Sequence, residues 1–404
     1  MKLGKMVAQT NFKHIGLLVY GRFPTEKAYG GHVFEIAKSF TELNIKTTIF
    51  YSKTNNRKTI YENPETYYGI DSDINFSEVK NFDFTNLTLY NFLPNVLKKV
   101  LWSIGSVLWS RSNLDKFSEC DLLWSTNPNT LTPHKKGGQV LIYEKHGEAK
   151  YFQKYSIKNL ARYKNCFFVG TSKTSYEELD NLNSENSIYL PNGVDLKRYL
   201  PNTKEFSSTI NIGYIGMLET YEKDKGVLES FKILKKLAKN YDISITLIGD
   251  PESYRKKIDK EFEDSDVNYL SKKRVPLSEV ASEMKNLDIG IVPYPSDHHM
   301  ETYASPMKVF EYAAAGVVIL ASNIKSHLDL SELELGIKYF EKDNYQDFEN
   351  KLSELLDNKK LIEKLHILSI KNISKFTWNN RSKKLINFAS VAQLDRAPDF
   401  GSGG

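Results

Sequence analysis

Apolar and polar positions alternate along the chain in short apolar runs separated by amphipathic stretches. In the first half HIGLLVY (14–20), TTIFYS (47–52), DLLWST (121–126), VLIYEKHG (140–147) and CFFVGTS (166–172) read as strands, and VFEIAKSFTELN (33–44) as an amphipathic helix. The second half repeats the scheme with INIGYIG (210–216), ISITLIGD (243–250), DIGIVPYP (288–295) and VVILAS (317–322), and with helices such as VLESFKILKKLAKN (227–240). Strand–helix alternation predicts parallel sheets with helices on both faces, here two of them. Asn192-Gly193, a turn signal inside the proline-bracketed YLPNGVDLKRYLP (189–201), marks the join. The expected fold class is therefore α/β: two facing, Rossmann-like, doubly wound domains with a cleft between them, where ligands meet the strand C-termini. The expected boundaries are 1–193 plus 375–390 for the first domain and 194–374 for the second, with 391–404 a disordered tail.

The segment ASPMKVFEYAAAGVVILAS (304–322) predicts a helix with Ser305 as N-cap, Pro306 as first helical residue and Gly316 just past the end. Met307, Phe310 and Ala314 form its core-facing stripe, while Lys308 and Glu311 share another face. An ion pair explains little, because such pairs contribute about 0.2–0.5 kcal/mol and lysine ahead of glutamate is the poorer orientation. Lys308 also lies in the first turn, where the helix dipole is already positive. A lysine and backbone N–H groups converging on an anion make better sense of it, with Glu311 accepting hydrogen bonds from sugar hydroxyls.

Composition narrows the class. With 404 residues, 40% hydrophobic and 12% aromatic, the chain builds full cores and is not a disordered protein. Its net charge of +5 suits phosphate-bearing ligands or an anionic membrane and is too small to indicate nucleic acid. Cys120 and Cys166 give no disulfide framework and no metal-type spacing, so a reducing cytoplasm is expected. Neither a signal-peptide core nor a run of membrane-spanning length is expected. In NFLPNVLKKVLWSIGSVLWSRS (91–112), Leu93, Leu97, Val100, Leu101, Ile104, Val107 and Leu108 form the face expected to dock on the first domain. Trp102, Trp109 and Lys98 then fall on the other side, a pattern suited to peripheral contact with the anionic inner face of the cell membrane. The alternative is that both tryptophans are buried against a neighbour. A dinucleotide fold is disfavoured, since GRFPTEKAYGG (21–31) is too long and GYIGML (213–218) wrongly spaced for the glycine fingerprint. Asp71-Ser72-Asp73 lies in an irregular segment and reads as a turn, so no metal site is expected.

YGGH (29–32), LPNGVD (190–195), IGYIG (212–216) with KG (225–226), LIGD (247–250), SPMKVFEYAAAG (305–316) and FTWNNRSKKLINF (376–388) follow one another in an order that resembles the family-4 glycosyltransferases of GT-B architecture. These are retaining enzymes that use nucleotide-sugar donors. The resemblance implies that Gly30 and Gly31 let backbone approach the donor diphosphate. It makes Lys225 the phosphate-holding lysine, with Ser305, Pro306 and Lys308 beside it, and gives Glu311 the nucleotide ribose. It gives His146 a hydrogen bond to the donor sugar near the reacting carbon; a satisfied structural histidine is the plain alternative. Met217 stands where the family has an arginine, and Lys308 and Arg274 are candidates to replace its charge. Tyr303 stands where a second glutamate faces the sugar, and Glu301 is out of register. The implied activity is a hexosyltransferase in surface polysaccharide synthesis, moving sugar from a UDP- or GDP-sugar to a glycan or lipid-linked acceptor, with no cofactor or metal. A sugar-nucleotide epimerase on the same fold, or a non-catalytic glycan-binding protein, are the alternatives.

Overall fold

The structure is a computed structural model; it describes residues 12–25, 27–52, 62–68, 73–80, 84, 90, 92–150, 152–201, 203–220 and 223–394. The chain forms two compact units, residues 1–191 with 378–404, and residues 192–377. Asp71 and Ser72 lie outside the described residues.

The first unit is built on β1 (His14–Val19), β2 (Lys46–Ser52), β3 (Ile74–Val79), β4 (Leu122–Ser125), β5 (Val140–Lys145), β6 (Cys166–Gly170) and β7 (Ser187–Tyr189). They pair in the order β3-β2-β1-β4-β5-β6-β7, all parallel, with Leu17 opposite Ile49 on one side and Trp124 on the other. The strand order reverses at β1/β4. Parallel strands covered on both faces lose their alternation and become continuous apolar runs, as in HIGLLV, buried throughout. β5 is equally buried yet contains Glu144 and Lys145, and two charged residues there need a reason.

The second unit has β8 (Ile210–Met217), a small antiparallel pair β9 (Glu219–Thr220) and β10 (Lys223–Asp224), then β11 (Ile243–Asp250), β12 (Tyr269–Lys272), β13 (Ile289–Val292), β14 (Val318–Ser322) and β15 (Ile337–Phe340). Its main sheet runs β12-β11-β8-β13-β14-β15, again parallel, and reverses at β8/β13. Its core is led by the buried Tyr214, Phe231, Phe310 and Tyr312.

Three sequence expectations change. Helix Trp378–Leu394 packs in the first unit, where Ser382 Oγ meets Ser39 Oγ at 2.5 Å and Phe388 meets Phe167. It continues through Leu394, so the expected tail is helical over its first four residues, and 395–404 lie outside the described residues. Second, the helix expected over 33–44 spans Ala28–Thr41, which puts Gly30 and Gly31 inside its first turn. Third, helix Asn95–Arg111 is turned over. Ser103, Gly105, Ser106, Trp109 and Ser110 face inward, and Val96, Leu97, Ile104 and Leu108 are exposed. Small residues let the backbone approach, Ser110 Oγ donates to the carbonyl of Thr130 at 2.6 Å, and Trp109 packs on Phe117 and Tyr20. One buried indole surrounded by small residues outweighs several aliphatic side chains in setting the helix's rotation.

Candidate functional site

In the second unit the reversal point of the sheet is lined by cations. β8 ends in Gly216, whose φ of +144° favours glycine and whose missing Cβ leaves room for Lys308; a Cβ would stand 2.6 Å from Nζ. Lys308 comes from helix Met307–Ala314, only 10% exposed. Its ammonium donates to the carbonyl of Ile215 and lies 5.3 Å and 5.4 Å from the ring centres of Tyr214 and Tyr312. Glu311 Oε2 is 3.9 Å away, at the margin of an ion pair. Lys225 stands over the Tyr294 ring at 5.3 Å. It is held by the turn DKG: Asp224 Oδ1 accepts from the N–H groups of Gly226 and Val227, and Gly226 (φ +78°) passes so close to the Pro293 carbonyl that a Cβ would clash.

Electrostatics matches this geometry. Burial, and next the charge of Lys308, push the Lys225 ammonium down to about 7. Burial likewise lowers Lys308, against the pull of Glu311. Two ammonium groups that oppose each other's charge thus stand among three tyrosine rings, with one carboxylate at the edge of reach of Lys308, which is not a finished ion-pair network.

The first unit carries a cluster of the opposite kind. Glu144 is fully buried, and its Oε1 accepts from His32 Nε2 (2.7 Å), His146 Nε2 (3.0 Å) and Arg381 Nη2 (2.9 Å), while Oε2 accepts from Trp124 Nε1 (3.1 Å). Burial by itself would raise its carboxyl; the Arg381 guanidinium and the two imidazoles outweigh that and hold it well below the usual range. Burial, then the proximity of His146, push His32 down to about 4, so His32 is neutral at physiological pH. An ionised carboxylate only accepts. It therefore fixes the Nε2 proton of His146, whose side chain is 33% exposed. The ligand atoms of His32, Glu144 and His146 lie within 4.8 Å of one another. A cation does not suit them: both imidazoles turn N–H groups to the carboxylate, and Arg381 already supplies its positive charge.

The remaining predicted residues are distributed as follows. Ser305 does not cap its helix; Pro306 occupies the N-cap position, and Ser305 Oγ instead accepts from the N–H of Asn192 at 3.0 Å. Asn192 Nδ2 donates to the Ser305 carbonyl at 2.8 Å, so LPNG holds the approach to the Lys308 helix. Gly30 answers a packing demand, since a Cβ would meet Tyr68 Oη at 2.3 Å and Thr25 Cγ2 at 2.6 Å, whereas Gly31 faces open space. Arg274 is exposed and follows the edge strand β12, with β11 between that strand and β8. Tyr303 is buried against His298, and Glu301 is taken up by Lys342. Met217, at the end of β8, is half-exposed and its carbonyl accepts from Tyr214 Oη. Glu144, Arg381 and the three tyrosines were not singled out from sequence. The signal for Glu144 was present, as a charge inside a continuous apolar strand.

Residues 209–358 match the family described as Glycosyl transferases group 1. An uncharacterized glycosyltransferase of Methanocaldococcus jannaschii is 26% identical over 252 residues, 62% of this chain and 65% of the relative, so the match spans just under two thirds of that protein. A glycosyltransferase structure from Rickettsia africae superposes with a TM-score of 0.71 at 15% identity, covering 95% of this chain and 99% of that one. Anabaena HepE in complex with UDP and glucose gives 0.62 at 14% identity, covering 95% and 100%. WaaG, a glycosyltransferase involved in lipopolysaccharide biosynthesis, gives 0.60 at 12% identity, covering 93% and 99%. The fold is GT-B. Within this GT-B chain the matched region contains Lys225, Lys308 and Glu311.

Proposed function

We propose that the protein transfers a hexose-type sugar, with retention, from a UDP- or GDP-sugar to a glycan or lipid-linked acceptor in surface polysaccharide synthesis. The observation that carries the reading is the pair Lys225/Lys308 at the β8/β13 reversal, two cations with one marginal carboxylate. Nucleoside diphosphate supplies the missing negative charge. Catalysis then rests on preorganised cations that stabilise the leaving diphosphate as its charge develops, so the reaction needs no divalent metal. Glu311, one turn into the same helix, takes the ribose hydroxyls. His146, its tautomer fixed by Glu144, hydrogen-bonds the reacting sugar through Nδ1. UDP as donor is supported by the UDP complex of the similar HepE.

Contact with an anionic membrane is supported by the inverted helix Asn95–Arg111. Phe92, Val96, Leu97, Ile104 and Leu108 are exposed, and residues 92–114 contain Lys98, Lys99 and Arg111 with no acid. No helix among the described residues is long and apolar enough to cross a membrane, so the contact is peripheral. Flotation with anionic vesicles tests it. The wild type floats, and a Val96/Leu97/Ile104/Leu108→Ser variant does not; a wild type that sediments at low salt ends this part of the reading.

The donor assignment is tested by thermal shift with UDP, GDP and the free nucleosides, since a ligand of the folded state raises its stability by mass action. A diphosphate-specific shift is expected, lost in Lys225→Ala and Lys308→Ala, while Glu311→Ala weakens nucleoside and nucleotide alike. A Lys308→Ala protein that keeps its full UDP shift refutes the site. Conversion of the nucleotide sugar in the absence of any acceptor points instead to the epimerase.

A further inference from the structure

The two lysines at the β8/β13 reversal are held differently. Lys308 is anchored: its ammonium donates to the carbonyl of Ile215, lies over the rings of Tyr214 and Tyr312, and has Glu311 Oε2 at 3.9 Å. Among the described residues Lys225 has neither an acceptor nor a carboxylate for its ammonium, only the face of Tyr294 at 5.3 Å. Asp224, its neighbour in the chain, commits Oδ1 to the N–H groups of Gly226 and Val227. The hydroxyls of Tyr294 and Tyr214 share a hydrogen bond, so the ring under Lys225 adjoins the ring under Lys308. Two ammonium groups over neighbouring rings disfavour the second charge. Burial first, and then the charge of Lys308, push the unanchored one down to about 7. The unprotonated amine is the nucleophilic form, and desolvation beside another cation is how a lysine gains it. An ordinary lysine is unprotonated in about one molecule in a thousand at pH 7.5; Lys225 is mainly so.

We propose that Lys225 is a modification site, whose amine condenses with aldehydes that carry a phosphate group, the class to which open-chain sugar phosphates belong. The nitrogen adds to the carbonyl carbon, the C=O electron pair moves to oxygen, and one proton passes from nitrogen to that oxygen. The carbinolamine so formed loses its hydroxyl and the remaining N–H proton as water and leaves an imine, so no oxidant or reductant is consumed. Lys308 and the first N–H groups of helix Met307–Ala314 take the phosphate and bring the carbonyl to the amine. The reactivity follows from the surroundings of the amine and does not rest on the proposed transferase activity; competition with a nucleotide does.

Pyridoxal 5′-phosphate with borohydride trapping, read by peptide mass mapping of the full chain, tests the proposal. Pyridoxal is the phosphate-free control, and each rate is taken relative to that with N-acetyl-lysine. Lys225 is modified about tenfold or more faster than any other lysine, and its rate levels off above about pH 8 while those of ordinary lysines keep rising. Lys225→Arg keeps the charge and loses the rapid phase. Lys308→Ala removes the advantage of the phosphate over pyridoxal. Labelling spread over the lysines according to exposure, a relative rate with pyridoxal equal to that with the phosphate, or a rapid phase that survives Lys225→Arg overturns the proposal. Rapid, phosphate-dependent labelling of Lys225 that saturating UDP leaves unchanged supports the modification site and counts against the donor site. A UDP thermal shift lost in Lys225→Ala, with no rapid labelling of the wild type, keeps the donor site and overturns this one.

Discussion

The two units bury charge in opposite ways. Around Glu144 one carboxylate receives four donors, from His32, His146, Arg381 and Trp124. At the β8/β13 reversal Lys308 has one glutamate 3.9 Å away, and Lys225 stands over the Tyr294 ring. Both arrangements desolvate ions, which costs free energy unless partners replace water. In the first the carboxylate is fully satisfied within the protein, although the buried His32 Nδ1 and Arg381 Nη1 have no partner. The second has more cation than anion, and the proposed diphosphate would complete it. Perturbed ionisation occurs in both, so perturbation by itself does not mark a ligand site; the balance of donors and acceptors does.

Breaking the completed cluster has the largest expected effect. Glu144→Ala leaves a buried guanidinium and two imidazoles without their acceptor and lowers unfolding free energy by about 3–5 kcal/mol, read by urea denaturation. Glu144→Gln retains part of this stability but is an amide, and the loss of its charge changes the pH profile of turnover through His146. Stability unchanged in Glu144→Ala dissolves the contrast.

At the open site the corresponding loss appears in binding rather than in folding. Lys225→Ala or Lys308→Ala lowers diphosphate affinity roughly tenfold to hundredfold, the range of one charge-assisted hydrogen bond. The apo protein is unharmed or stabilised, because an opposed charge has been removed. Calorimetry on the free and UDP-bound forms separates the two.

His146 lies between these extremes. His146→Ala lowers turnover tenfold or more, about 1.4 kcal/mol in transition-state terms, with donor affinity nearly kept. Melting temperature and activity falling together mark the histidine as structural.

The smallest effect is the sharpest in sign. The folded Lys225 sits at about 7 against an ordinary 10.5, so between these values the unfolded chain binds a proton that the native protein does not. Apo stability from this group therefore rises with pH across that window and the penalty is full below about pH 7. Binding a diphosphate returns the proton, so affinity falls by up to tenfold per pH unit above 7, while nucleoside affinity stays flat. Proton uptake measured in buffers of different ionisation enthalpy checks it, and release of protons at pH 8 contradicts it.

The strands legible in the sequence were the interior ones, β1, β2, β4, β5, β6, β8, β11, β13 and β14. Those not read were β3, β7, β12 and β15, which are the four sheet edges, and the short pair β9/β10. An edge strand is covered on fewer sides, so INFSEV, SIY, YLSK and IKYF carry no continuous apolar run. Lys225, Lys308 and Glu311 were legible because helix-start and turn chemistry are local, written within a few residues of each group.

By itself, then, the sequence determined two parallel-sheet units, their interior strands, and the candidate cations of the second. Tertiary structure decided what those groups face. The rotation of helix Asn95–Arg111 follows from the depth of the site that receives Trp109, which no period along the helix records. The partners of Glu144 come from residues 32, 124, 146 and 381. Periodicity is a property of neighbours in the chain; the balance of donors and acceptors is a property of neighbours in space, and it is the second that distinguishes a closed network from a binding site.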